Sequence, residues 1–157
     1  MNAHIIDRAL AADPYTFADD APAELANVVL SLDEAERVKD QLASAASDGH
    51  DVGVRLQPDD DVNRVVALLP HIALVECHFP TFMDGRGYSH ARLLRDKHGY
   101  QGALRAAGDV GRDQLHYLQQ VGFNWFALRE GEDADAALAG FDTFSVDYRD
   151  PVTRPKA

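Results

Sequence analysis

A glycine-bounded arginine stands at the centre of the stretch FPTFMDGRGYSHARLLR, residues 79–95. Gly85 and Gly87 supply backbone freedom on either side of Arg86, whose guanidinium can donate two parallel hydrogen bonds to a carboxylate, sulfate or phosphate group. Asp84 is placed to hold that arginine. The spacing predicts an anion-binding turn. The same Asp–Arg pair is also consistent with a turn in which the two side chains bond each other and no ligand is bound.

The charge of the chain is unevenly spread. Six basic and four acidic residues lie between Asp84 and Asp113, a net charge of +2, whereas the other nine basic and twenty-two acidic residues give −13, for a total of −11. A locally positive site within an acidic shell selects small anions and keeps large polyanions away. Chance variation in surface charge explains this count equally well. The overall charge argues against nucleic acid as a partner.

Apolar runs alternate with helical patterns, and this alternation predicts the elements that must position the turn. Ser31 and Glu34 have the spacing of a capping box, in which each side chain bonds the other residue's amide at the start of a helix. The predicted strands are 27–30, 52–56, 72–79, 104–107 and 123–128, with a further candidate at 144–148, and the predicted helices are about 34–48, 59–69, 88–98, 112–121 and 134–139.

Strand and helix repeat with a step of about 20 to 30 residues, which is typical of βα units around a parallel sheet. We therefore expect an α/β fold with a single domain at 25–150, a loosely ordered segment at 1–24 and a flexible tail at 151–157. A full eight-stranded barrel needs about 250 residues, so the chain fits a part-barrel or, alternatively, an open doubly wound sheet.

Loops that leave the carboxyl ends of parallel strands gather at one edge of the sheet, where ligands bind. In this chain those loops are 80–87, 108–111 and 129–131, and we expect them to meet around one site. The predicted ligand-binding residues are Asp84, Gly85, Arg86, Gly87, Tyr88, Arg92, Arg105, Gly108, Asp109, Arg112 and Arg129.

Arg105 is a special case because it lies inside the apolar run ALRAA. An unpaired charge in such a strand is costly, so Arg105 should have a partner. Asp109 and Asp113 are the expected partners, and a structural ion pair is as good an interpretation as a ligand contact. Arg95, in contrast, is expected to be a solvated arginine on a helix.

His78, at the end of a strand beside the loop, and Asp109 are the candidate catalytic residues for acid–base chemistry. A rim histidine with one hydrogen bond is the simpler description of His78. The spacing of His78, His90, His98 and His116 matches no metal motif, and no glycine-rich nucleotide motif is present, so neither a metal nor another cofactor is predicted. Cys77 is expected to be a small buried residue.

Several cellular settings are disfavoured by the composition. No apolar run approaches the ~20 residues needed to cross a bilayer, so no membrane association is expected. The first residues, MNAHIIDRALAADPYTFADD, lack the pattern of a secretory signal. A single cysteine permits no internal disulfide and suits a reducing compartment. These features together predict a cytoplasmic protein.

Residues 79–128 contain, in this order, the pieces FPTFMDGRGYS, ARLLR, GY, LRAAGDV, DQL and GF. In this combination the chain resembles a bacterial family, domain-of-unknown-function family nine-three-four. Members of that family are often labelled as oxidoreductases involved in sulfite reduction, because they tend to be encoded beside assimilatory sulfite reductase. The resemblance implies a role in sulfur assimilation, with sulfite reductase as a candidate partner.

Sulfite reduction moves six electrons and needs a redox cofactor such as siroheme coupled to an iron–sulfur cluster, normally held by four cysteines. The single cysteine, Cys77, cannot hold that cluster. We therefore expect an accessory protein that binds a small anionic ligand. One alternative is an enzyme, either an oxidoreductase of the sulfite reduction pathway, as the family label implies, or an acid–base enzyme on an anionic substrate. The other is a non-catalytic scaffold docked on the reductase. Self-association into a homo-oligomer is left open.

Overall fold

Eight strands form one mixed sheet in the computed structural model, which describes residues 3–81 and 85–143. The strands are β1 (His4–Ile6), β2 (Ala9–Ala11), β3 (Thr16–Ala18), β4 (Val28–Ser31), β5 (Val52–Leu56), β6 (Leu74–Phe79), β7 (Ala103–Gly108) and β8 (Trp125–Ala127). The helices are α1 (Leu32–Arg37), α2 (Lys39–Ser47), α3 (Asn63–Val66), α4 (Arg86–Arg92), α5 (Leu115–Gln120) and α6 (Ala134–Thr143), with 3₁₀ turns at Leu69–His71 and Arg112–Gln114 and a π-helical turn at Leu93–Lys97.

The strand order is that of a part-barrel. Across the sheet the strands run β2-β1-β8-β7-β6-β5-β4-β3, so β4 to β8 lie side by side in chain order, and they are parallel. A doubly wound sheet reverses its order at a switch point, and these five strands do not. β1 is antiparallel to both β2 and β8. The sequence prediction of βα units around a parallel sheet is therefore confirmed in its part-barrel form.

The length of one connection shows how strongly the sheet curls. β2 and β3 form opposite edges, which in a flat sheet of eight strands would lie seven spacings, or about 34 Å, apart. The chain joins them through residues 12–15 alone, and an extended chain from Ala11 to Thr16 reaches at most about 18 Å. The edges must approach each other, as in a half-barrel. We call residues 12–15 the strap, since they cross the concave face.

The two faces of the sheet have different contents. Side chains of the parallel strands alternate between the faces, and one set, including Val54, Cys77 and Leu104, packs with the helices in the main core. On the concave face, Val29, Leu74 and Trp125 form a smaller buried cluster near the amino ends of the strands. The carboxyl half of the concave face is lined instead by polar and charged residues.

The five strands predicted from 27 onward are confirmed, with ends that differ by up to two residues. The first 18 residues add three strands for which the sequence carried no pattern, because each is three residues long and is defined by its neighbour. The candidate strand at 144–148 and the tail at 151–157 lie outside the described residues. Within the described part of the chain, no helix has the length and apolar character needed to span a membrane.

Half of the expected capping box forms at α1. The Ser31 hydroxyl oxygen accepts from the Glu34 amide at 3.3 Å. The Glu34 carboxylate does not return to Ser31 but accepts from the amide of Ala21 at 2.6 Å and from Arg37. The bond from Arg37, and then that from Ala21, lowers the pKa of Glu34 to about 2. The carboxylate therefore ties the segment after β3 to the start of α1.

Candidate functional site

A row of three charged side chains crosses the concave face. The register places Arg55 of β5 beside Glu76 of β6, and Glu76 beside Arg105 of β7. Nε of Arg55 donates to Oε1 of Glu76 at 2.5 Å, and Nε of Arg105 donates to Oε2 at 2.6 Å. Glu76 is only 2% exposed. Because an unpaired buried charge is costly, this carboxylate depends on both guanidiniums.

The strap extends the row. Nη1 of Arg105 donates to Oδ1 of Asp13 at 3.0 Å, so the second carboxylate comes from the amino-terminal segment. The guanidinium carbon of Arg105 lies 4.8 Å from the centre of the Trp125 ring, within the range of a cation–π contact. Tyr15 packs against the same indole, with ring centres 5.9 Å apart. Arg105 is thus fixed on several sides.

His4 is held as a neutral imidazole. Nε1 of Trp125 donates to Nδ1 of His4 at 3.0 Å, and since an indole N–H only donates, Nδ1 must be the acceptor. The ring proton is then on Nε2, 3.5 Å from Oδ2 of Asp13. Burial, the largest effect, lowers the pKa of His4, and Arg105 lowers it further, while Asp13 opposes them.

These residues line a cavity of about 300 Å³ at the carboxyl half of the concave face. This volume is at the lower end of the range for small-molecule sites. His78 lines it as a second neutral imidazole, whose pKa is lowered by burial and then by Arg55. The lining residues are His4, Asp13, Tyr15, Phe17, Arg55, Glu76, His78, Arg105, Ala107, Gly108 and Ala127.

Arg55 and Arg105 each have N–H groups that are available to a ligand. Within residues 3–81 and 85–143, the terminal nitrogens of Arg55 and Nη2 of Arg105 donate to no protein acceptor. The Arg55 guanidinium instead lies 3.9 Å over the ring centre of Phe17. Both side chains are anchored through Nε, so their remaining N–H groups are oriented before any ligand arrives. The arrangement can bind an oxyanion and hold it beside the His78 imidazole.

The three predicted strand-end loops do lie together. The Asp109 amide donates to the Phe79 carbonyl at 2.8 Å, and the Arg129 amide donates to the Val110 carbonyl at 2.8 Å. Gly87 lies so close to Phe79 that an added Cβ would be 2.5 Å from its ring. Tyr88 packs on Phe79, with ring centres 5.3 Å apart. The meeting of the loops is therefore a packed contact.

The charges in these loops have other partners or face solvent. Arg129 donates to Asp109 at 3.0 Å and to Glu132 at 3.1 Å. The space between the loops, bounded by Phe79, Tyr88, Asp109, Val110, Gln114 and Leu118, is too narrow for a water molecule. Gly85, Arg86, Arg92 and Arg112 are exposed. Asp84 lies outside the described residues.

Two predictions about arginines were wrong. Arg105 is ion-paired, as expected. Its partners, however, are Glu76 and Asp13, not Asp109 or Asp113. The parallel register sets Glu76 directly beside Arg105, whereas Asp109 lies beyond the end of β7. Arg95 is 6% exposed and donates to three carbonyl oxygens, those of Gly122, Tyr100 and Gly102, at the amino ends of β7 and β8.

Sequence reasoning missed several cavity residues, most importantly Arg55, Glu76, Asp13 and His4. For the first two a signal existed, because each is a charged residue inside an apolar strand, as Arg105 is. Asp13 and His4 gave no such signal. Among the described residues, no group of three His, Cys, Asp or Glu side chains is arranged as a metal site.

A comparison with curated proteins found no match. A family model with the description "Bacterial protein of unknown function (DUF934)" matches residues 53–157. The matched part includes Arg55, Glu76, His78 and Arg105, and the strap precedes it. A match over this much of the chain shows that the protein belongs to this bacterial family of unknown function, DUF934.

Proposed function

We propose that this protein binds a small anion in the concave cavity and serves as a cytoplasmic accessory protein of assimilatory sulfite reduction. The observation that carries the proposal is the anchoring of two cavity-lining arginines on one buried carboxylate, Glu76. Glu76 occupies the Nε atoms and leaves terminal N–H groups for a ligand. The cavity, rather than the packed loops around Arg86, is therefore the favoured anion site.

The physical basis is preorganisation. An arginine on the surface must lose side-chain freedom when it binds an anion, whereas Arg105 is already ordered by Glu76, Asp13 and Trp125. Hydrogen bonds between a guanidinium and an oxyanion are charge-assisted, and they strengthen when water is partly excluded. Arg55 is the more accessible of the pair, with 25% of its side chain exposed. It is the natural first contact for an entering ligand.

Sulfur oxyanions are the first ligands to examine, because the chain resembles proteins labelled for sulfite reduction. An accessory role is favoured over a redox role by the single cysteine. Cys77 is fully buried, and burial raises the pKa of its thiol, with the Glu76 charge acting in the same direction. A thiol that is buried and protonated is a poor nucleophile and a poor metal ligand.

The proposal is tested by titrating sulfite, sulfate, phosphate and adenylyl sulfate into the full chain, with calorimetry and Trp125 fluorescence as readouts. Arg55→Gln should weaken binding by at least about tenfold, because a hydrogen bond to a charged group is worth about 1.5–3 kcal/mol. Arg105→Lys should weaken it too, since lysine lacks the planar fork.

Arg64→Gln is the matched control, because Arg64 pairs with Asp33 and Glu36 on the surface, away from the cavity. It should bind as the wild type does. Arg86→Ala distinguishes the cavity from the loop as the anion site. If Arg86→Ala loses anion binding and Arg55→Gln keeps it, the anion binds at the loop. Absence of heat and of fluorescence change with all four anions would reject anion binding.

An enzyme is the second candidate function, favoured by the position of His78. Burial, and then the Arg55 guanidinium, lowers the pKa of His78 and keeps its imidazole neutral, as a general base for a bound oxyanion substrate should be. Asp109, the other candidate, is bonded to Arg129 outside the cavity lining. If the protein is an enzyme, ³¹P or ¹H spectra of adenylyl sulfate should change with time, and His78→Gln should stop the change without weakening binding.

A further inference from the structure

The strap places a carboxylate of the protein on one of the two proposed anion-binding arginines. Asp13 accepts from Nη1 of Arg105 at 3.0 Å, and 24% of its side chain is exposed. Its contact with Arg105 has no counterpart at Arg55, which bonds Glu76 alone among the described carboxylates. Asp13 therefore occupies one half of the position that an oxyanion bridging Arg55 and Arg105 would take.

The charges of the cavity explain why this matters. Arg55 and Arg105 are balanced by Glu76 and Asp13, and His4 and His78 are neutral, so the lining carries no net charge with the strap in place. Once Asp13 leaves Arg105, the remaining groups carry one positive charge. The cavity, whose lining had no net charge before, then attracts an anion.

Besides Arg105, Asp13 faces Nε2 of His4 at 3.5 Å, and the strap has few other attachments. The Tyr15 amide bonds the Asp13 carboxylate itself at 2.9 Å, and Tyr15 packs on Trp125. The Thr16 amide bonds the Asn27 carbonyl at 3.0 Å, which fixes the carboxyl end of the strap at β3. Ala12 and Pro14 are exposed. The Asp13 side chain can therefore leave Arg105 while the strap backbone keeps the two edges of the sheet joined.

We infer that the cavity accepts an oxyanion that spans Arg55 and Arg105, and that this ligand enters by replacing Asp13 on Arg105. The inference rests on the proposed function and names its ligand class. A carboxylate tethered by a short segment competes at high effective concentration. Anions with a single point of contact, such as chloride, are excluded by this competition. A sulfate-like group reaches both guanidiniums and gains a contact that Asp13 lacks.

The experiment compares wild type, Asp13→Asn and a control, Asp96→Asn, whose carboxylate is exposed on the π-helical turn. Sulfate and sulfite are titrated in a dilute buffer without chloride, chloride is titrated separately, and Trp125 fluorescence is followed. Asp13→Asn should bind both anions on the order of tenfold more tightly, because the tethered competitor has lost its charge. It should also gain measurable chloride binding. Asp96→Asn should match the wild type.

Hydrogen exchange on the wild type gives a readout that needs no variant. Saturating sulfate should speed exchange of the Tyr15 amide, since its acceptor is the Asp13 carboxylate. Equal or weaker anion binding by Asp13→Asn, or an unchanged Tyr15 amide in sulfate-bound wild type, would overturn the replacement of Asp13 and leave the proposed function standing. Absence of anion binding by both proteins would overturn both.

Discussion

Glu76 is the residue on which the charged row depends. A buried carboxylate that loses a partner leaves an uncompensated charge, and such losses typically cost about 3–5 kcal/mol. The charge of Glu76 is compensated by two guanidiniums, one from each neighbouring strand. The same two bonds orient Arg55 and Arg105 toward the cavity. One side chain thus stabilises the centre of the sheet and shapes the site.

His4 should control a fluorescence transition of Trp125, the single tryptophan of the chain. Burial lowers the pKa of His4 below 6.5, so the folded state favours the neutral ring that accepts the indole N–H. On acidification below pH 6.5, His4 takes up a proton and that hydrogen bond is lost. Trp125 emission should change with a midpoint below 6.5, and His4→Gln should abolish the transition.

The sign of the accompanying stability change follows from the same shift. A base whose pKa is lowered by folding binds fewer protons in the folded state, so its contribution is present above pH 6.5 and is lost as the pH falls through the folded-state value. His78 shares the cavity and is the necessary control. His78→Gln should keep the fluorescence transition, and a transition that persists in His4→Gln would contradict the assignment.

At the residue scale, part of the charged row was predictable from the amino-acid sequence. Arg105 was predictable as a paired charge because it interrupts an apolar strand, and Arg55 in VGVRL and Glu76 in LVECHF have the same property. The choice of partner was not predictable, because it depends on register. A shift of one residue would send Glu76 to the helix-packed face. Only the folded register sets these three side chains beside one another.

The carboxyl end of β7 is the element on which the loop arrangement depends. Gly108 has φ +102°, and a Cβ there would lie 2.2 Å from the Phe79 carbonyl oxygen. That carbonyl accepts from the Asp109 amide, so β6 and β7 end in close contact. A side chain at this position would push the two strand ends apart, close to the cavity wall.

Gly108→Ala should therefore lower the free energy of unfolding far more than Gly131→Ala. Gly131 has φ +85° but no atom within 4 Å of an added Cβ, so its variant carries only the backbone strain. The difference between the two should exceed about 1 kcal/mol. Urea unfolding followed by circular dichroism measures both. Similar losses for the two variants would show that contact with Phe79 adds little.

The parallel strands were predictable as elements, and the short strands were not. β5 to β7 carry five or six residues each in largely apolar runs, which periodicity detects. β2 is exposed at all three of its residues, and its conformation is set by pairing with β1. Such a strand has no local signal. The strap joins β2 and β3, which the sequence did not predict, so its position across the concave face could not be predicted either.

At the scale of the whole molecule, the strap fixes the curvature of the sheet. Residues 12–15 alone join the two edges, and their greatest reach of about 18 Å limits how far the half-barrel can open. The strap also covers the concave cluster around Trp125. Curvature and cavity shape are consequently linked to the length of one connection.

Deleting Ala12 should destabilise the fold more than inserting a glycine after Ala12. Deletion shortens the greatest reach of this connection by about 3.5 Å, so we expect the sheet to curl further or Asp13 to be released. Insertion adds slack at a small entropic cost, since loop closure depends only weakly on length. Thermal unfolding of both variants measures the asymmetry. An equal fall in Tm would show that the length of the strap does not limit the curvature of the sheet.

The pairing of β1 with β8 bears on the order of events during synthesis. His4 lies opposite Ala127, so β1 cannot complete its pairing until β8, the last parallel strand within the described residues, has been synthesised. Contacts of such large sequence separation form slowly, since the intervening chain must first be ordered. A nascent chain on the ribosome should thus acquire the proposed anion affinity only after β8 has emerged from the exit tunnel.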